Sequence, residues 1–167
     1  EKLVRLEEQG MPVVLTEGNI KGAPFDCVFG DNWRGAYEGA ESLMEAGHKK
    51  IAVVRGIGGT KEERERFRGF LQAMEDHGLE VPKEYVIQDG ECAEKISRAI
   101  GGLLEGDMPP TAVFALDGCG TAGCMRCLGE RGLIVGEDVG FMGFDDQEIF
   151  EQLGFRLSVV ERDALEQ

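Results

Sequence analysis

The sequence predicts an α/β fold, a parallel sheet with helices on both faces. Strand-like and helix-like segments alternate almost throughout its 167 residues, the order that parallel sheets with right-handed crossovers require. The run Ile51-Ala52-Val53-Val54 is continuously apolar, as in a strand covered on both faces. Glycines at 10, 47 and 78 follow helical runs, where helices commonly close on a left-handed residue.

Taken in order, Lys2 to Gln9 is a predicted helix with Leu3 and Leu6 on one face, and Gly10 ends it. Pro12 to Leu15 is a short strand, 18 to 24 a loop and Asp26 to Phe29 a second strand. Trp33 to Ala46 is a helix with Asp31 or Asn32 as N-cap and Gly47 as C-cap. After the strand 51–54 comes a glycine-rich loop, 56 to 60, then a helix from Lys61 to His77 whose start is fixed by a Thr60/Glu63 capping box. Tyr85 to Gln88 is a strand, Ala93 to Leu104 a helix, and Ala112 to Leu116 a strand following Pro109-Pro110. Thr121 to Arg131 reads as a helix weakened by Gly123 and Gly129, and Val139 to Phe144 as a strong strand. Phe155 to Val160 is extended, and another helix is expected from Asp163. From Trp33 to Phe150, four strands and four helices make one layered unit. The first thirty residues are too few for a second unit and read as the end of another lobe.

Composition narrows the function. The apolar fraction of 42% and charged fraction of 30% are those of a globular chain. A net charge of −14, spread along the chain, repels phosphate backbones, so this segment is not expected to bind nucleic acid by itself. No apolar run approaches a membrane span and no signal-peptide pattern opens the chain, so no membrane partner is expected. The start at Glu1 without a Met points to a fragment of a longer protein. Five cysteines, an odd number, imply reduced thiols and a cytoplasmic location. Cys119, Cys124 and Cys127 have a C-x4-C-x2-C spacing. They fall in a helical pattern, where Cys acts as a small apolar residue, so neither a metal nor a cofactor is expected.

Catalysis has little support. His48 belongs to a helix-to-strand turn and His77 to the last turn of a helix, and neither stands near a nucleophile or paired-His signature. An enzyme would have to use Asp117 or Asp145, each after a strand. The glycine loop with Arg55 sits where α/β folds bind small molecules, and its backbone N–H groups can cradle a ligand. Its spacing fits neither G-x-G-x-x-G nor a P-loop, which disfavours dinucleotide binding and nucleotide hydrolysis.

Five pieces in order resemble one family. They are Asp31-Asn32-x-x-Gly35-Ala36, Gly47-His48-Lys49-Lys50-Ile51-Ala52, Arg66-x-x-Gly69-Phe70, Pro110 to Ala115, and Glu137 to Asp146. The chain resembles the effector-binding domain of the lactose-repressor (LacI/GalR) family of bacterial transcription regulators. The resemblance implies a periplasmic-binding-protein-like type I fold with one complete lobe and part of a second. Its expected divisions are 1–30 (end of the first lobe), 31–154 (second lobe) and 155–167 (crossing strand). It implies a sugar or related metabolite as effector, bound in a cleft. DNA would be contacted only through an absent N-terminal helix-turn-helix, and the full-length protein would be a homodimer.

The ligand-binding residues it suggests are Arg66, Asp117, Asp145, Gly58 and Asp31. Arg66 matches the family's ligand-gripping arginine; read from its helix alone, it pairs with Glu62 or Glu63 instead. Leu116-Asp117-Gly118 departs from the family's Asn-Asp by placing the acid one residue early, which on a strand end turns it to the opposite face unless a local adjustment at Gly118 restores it. Asp89-Gly90-Glu91 lacks the family's aromatic, and Leu157-Ser158-Val159-Val160 replaces Leu-Thr-Thr-Val. A solute receptor or sensor module with an output other than DNA is the alternative.

Overall fold

In the computed structural model, which describes residues 2–16, 22, 25–28, 30–56, 60–88, 92–145 and 148–161, the chain falls into two units that divide after Asp31. The smaller contains helix α1 (Lys2–Glu8) and strands β1 (Val14–Thr16) and β2 (Asp26–Val28), paired in parallel.

The larger unit runs from Asn32 and holds α2 (Asn32–Glu45), β3 (Ile51–Val54), α3 (Lys61–Asp76), β4 (Val86–Ile87), α4 (Ala93–Leu104), β5 (Ala112–Ala115), α5 (Gly118–Arg131), β6 (Gly140–Phe144), α6 (Glu148–Gln152) and β7 (Ser158–Val160). Its five strands pair in parallel in the order β4-β3-β5-β6-β7. Every residue of β3, β5 and β6 is buried, and alternate residues go to opposite faces. Ile51, Val53, Phe114, Met142 and Phe144 pack with Ala36, Ala40 and Leu43 of α2 and Phe70, Ala73 and Met74 of α3. Ala52, Val54, Val113, Ala115 and Phe141 pack on the other face with Ile96 and Ile100 of α4 and Cys124, Cys127 and Leu128 of α5. Each large side chain so buried contributes about 1.5–3 kcal/mol, which is why these strands read as unbroken apolar runs. The expected parallel sheet with helices on both faces is the observed one.

Several element boundaries differ from expectation, and three of the differences bear on the site or the sheet. α5 starts at Gly118 rather than Thr121, because Asp117 caps it by accepting from the Gly120 N–H at 2.7 Å. β4 is only two residues long because Lys83–Tyr85 form a 3₁₀ turn, with the Tyr85 hydroxyl donating to the Met108 carbonyl at 2.8 Å. α2 begins at Asn32 rather than Trp33, so of the two residues expected to cap it Asn32 lies within the helix and Asp31 precedes it. The short helix α6 was not anticipated. The helix expected from Asp163 lies outside the described residues. No helix among the described residues is long and apolar enough to cross a membrane.

α2 and α3 lie close enough that Gly69 is obligatory. A Cβ there would collide with the backbone carbonyl of Trp33 and stand 3.1 Å from the Tyr37 nitrogen. Gly69→Ala is therefore expected to lower stability by about 1–3 kcal/mol through overpacking. Urea denaturation measures this, and an unchanged midpoint would mean that the two helices can part freely.

Candidate functional site

The chemistry gathers at the carboxyl ends of β3, β5 and β6 in the larger unit. Arg66, from the second turn of α3, is only 7% exposed. Its Nε donates to Asn32 Oδ1 at 2.7 Å, and Nη1 donates to the Leu116 carbonyl at 2.7 Å and to Asp145 Oδ2 at 3.3 Å. The guanidinium lies over the Phe144 ring, 3.8 Å from its centroid. Pairing with Glu62 or Glu63 on its own helix does not occur among the described residues. Glu63 is engaged by Arg55 instead, whose Nε donates to Glu63 Oε1 at 2.6 Å while its guanidinium covers Phe67 at 4.1 Å.

Arg66 also borders a cavity of about 190 Å³ with Gly56, Thr60, Glu62, Glu63, Leu116 and Asp117. A neighbouring hollow of about 120 Å³ is walled by Arg55, Gly56, Glu63 and Gln88. A third, of about 320 Å³, is bordered by Thr121, Asp145, Phe150, Arg156 and Val159 among others. Asp117 caps α5, and its carboxylate packs against Gly56 on the wall of the first cavity. Its position one residue early thus gives it a helix to cap without removing it from the site.

Asp145 has a left-handed backbone, φ +68°, which Asp tolerates better than most residues. Its N–H donates to the Val160 carbonyl at 2.9 Å and ties the end of β6 to β7. Burial pushes its carboxyl above the usual carboxylate range, and the Arg66 charge opposes that shift without cancelling it.

Arg66, Asp117 and Asp145 therefore come together. Gly58 lies outside the described residues, and Asp31 is an exposed residue at the end of the smaller unit. Sequence reasoning offers Asn32 only as one of two helix caps, and Glu63 only as a capping-box member or a helix partner of Arg66, and so misses the part each plays at the site. The Thr60 hydroxyl does accept from the Glu63 N–H at 3.0 Å, but the Glu63 carboxylate turns to Arg55. His48 shares a hydrogen bond with Thr111 at 3.1 Å, and His77 sits at the end of α3 beside the Ala73 carbonyl at 2.9 Å, so both belong to turns. Cys124 and Cys127 are core residues of α5. No group of three or more His, Cys, Asp or Glu among the described residues is arranged to hold a metal. The arrangement suits binding by hydrogen bonds from fixed groups.

Asp145 makes stability depend on pH. Its folded-state proton affinity exceeds the unfolded one, so the native state binds more protons, and stability falls as pH rises above the ordinary carboxylate value of about 3.9. Asp145→Asn removes that slope and keeps a side chain suited to left-handed backbone. The variant should gain on wild type in urea midpoints as pH rises above about 3.9, the ordinary carboxylate value. Parallel slopes would mean that this carboxyl titrates as it does in the unfolded chain.

Comparison with known proteins places the fold. Residues 40–166 match the periplasmic binding protein-like domain. The HTH-type transcriptional regulator DegA of Bacillus subtilis (strain 168) is 31% identical over 158 residues, covering 95% of this chain and 47% of DegA. A regulatory protein of the LacI family from Chloroflexus aggregans superposes with a TM-score of 0.80 at 27% identity, over 97% of this chain and 58% of its own. A LacI family regulator from Enterococcus faecium, solved with bound ribose, superposes with a TM-score of 0.78 at 25% identity, over 96% of this chain and 59% of its own. The chain spans about half the length of the curated relatives it matches. It belongs to the periplasmic binding protein-like family, as an effector-binding domain of the LacI/GalR type.

Proposed function

We propose that this chain is the metabolite-sensing part of a bacterial transcription regulator, with a sugar or related small molecule as effector. The observation that carries this reading is the Arg66 guanidinium. It is held by two side chains and a carbonyl, and Arg66 borders a cavity. A guanidinium fixed in this way presents a planar donor without first having to be ordered, which favours binding. Asp117 and Asp145 stand beside it as further contacts, and Gly58 and Asp31 are proposed to complete the set. DegA is named as an HTH-type regulator and the Enterococcus protein holds ribose, both of which support a DNA-directed output and a sugar-like effector.

In this reading residues 1–30 close a first lobe, 31–154 form the second and 155–167 return toward the first. The effector shifts a population between lobe arrangements, and a homodimer passes that shift to helix-turn-helix headpieces carried elsewhere in the full protein. The protein works in the cytoplasm, and its task is binding rather than turnover.

In the full-length protein, Arg66→Ala should weaken effector binding by about 1.5–3 kcal/mol, the loss of a hydrogen bond to a charged group. Calorimetry measures it, with thermal melts to confirm that the variant is folded. Unchanged affinity would remove Arg66 from the site.

A further inference from the structure

We infer that Glu63 is the specificity-determining contact of this site, taking a hydrogen-bond donor of the ligand, hydroxyl or ammonium, and turning acidic ligands away. The inference rests on the sensing role proposed above and adds the ligand's chemistry to it. Glu63 is 6% exposed, and its two carboxylate oxygens have different fates. Oε1 accepts from Arg55 at 2.6 Å. Oε2 is buried and has no hydrogen-bond partner among the described residues. Buried polar atoms are nearly always satisfied, so an orphaned carboxylate oxygen calls for a donor from outside the chain. Glu63 borders both the 190 Å³ cavity and the 120 Å³ hollow, where such a donor can reach it.

The carboxylate is held in place rather than swinging freely. Thr60 fixes the first turn of α3, and Arg55, stacked on Phe67, holds Oε1. Charge points the same way. The larger of the two cavities is bordered by Glu62, Glu63 and Asp117 against Arg66 alone, and Arg66 already faces Asp145. A helix N-terminus ordinarily favours anions, but Glu62 and Glu63 already occupy the first turn of α3. A carboxylate or phosphate entering here meets an excess of negative charge in a partly desolvated space. A hydroxyl or ammonium group meets an acceptor without a donor.

The test uses the full-length protein in thermal-shift and calorimetric titrations. The probes are glucose, galactose and mannose, each as the neutral sugar, the 2-amino sugar and the 6-uronate, with ribose against ribose 5-phosphate, and adenosine and spermidine as further donor-bearing compounds. The expected result is a response to one or more donor-bearing probes and a weaker or absent response to the acidic counterpart. The neutral and amino arms separate a hydroxyl from an ammonium as the bound group. Glu63→Gln should weaken the bound probe by about tenfold or more, as loss of a charged hydrogen bond does. An acidic probe binding as tightly as its neutral form, in a manner lost in Arg66→Ala, overturns the inference and leaves the sensing role standing. Affinity unchanged in a folded Glu63→Gln variant also overturns it, leaving Oε2 to an internal water. Silence from every donor-bearing and acidic probe would count against both readings. Should Glu63→Gln fail to fold, the wild-type ranking of neutral against acidic probes still decides the matter.

Discussion

The buried guanidinium of Arg66 is the constraint on which the site depends. A charge that deep must have its donors met, or the fold bears several kcal/mol of desolvation. Asn32 of α2, the carbonyl of Leu116 after β5 and Asp145 after β6 supply the acceptors, so one side chain ties α3 to three other parts of the larger unit. The distances rank them. Asn32 and Leu116 at 2.7 Å are the firm anchors, while Asp145 at 3.3 Å is the looser one. Neutral acceptors therefore set where Arg66 sits, and the charge partner adjusts around it.

A second guanidinium repeats the device one strand-end away. Arg55 lies on Phe67 as Arg66 lies on Phe144, and each meets a carboxylate. The two pairs do not balance the region, because Glu62 and Asp117 add negative charge to the same walls. Their effect is local and strong where water is excluded, unlike the diffuse charge of the rest of this acidic surface, which salt screens. In the proposed binding role, such an environment would weigh a ligand's charge as well as its shape.

Much of this was legible in the sequence, and what was not has physical reasons. β3, α3 and α4 follow directly from an unbroken apolar run, a capping box and helical periodicity. α5 was read too short because Gly118 and Gly120 argue for a loop, whereas the Asp117 cap outweighs them. Arg66 could be singled out but its partners could not, since Asn32, Leu116 and Asp145 lie 34, 50 and 79 residues away along the chain. Helix-surface rules favour a nearby Glu at three or four residues, and only the burial of Arg66 shows why that pairing loses. The orphaned oxygen of Glu63 has no sequence signature at all, because a capping-box glutamate looks the same whichever way its carboxylate turns.

Asp145 shows how a fixed site can still respond. Its left-handed backbone, a conformation that costs a non-glycine residue energy, is held by the N–H bond to Val160 and by the contact with Arg66. Its burial works against ionisation, so its contact with Arg66 is a compromise between desolvation and attraction. A ligand moves a population only by binding one arrangement better than another. Asn32 and Leu116 leave Arg66 little freedom to differ between arrangements. Asp145 pairs with Arg66 and is joined through its backbone to β7, so its energy depends on both contacts. In the proposed sensing role, Arg66 and Glu63 are the candidates for recognition, and Asp145 is the member of the cluster that is also bonded to the neighbouring strand.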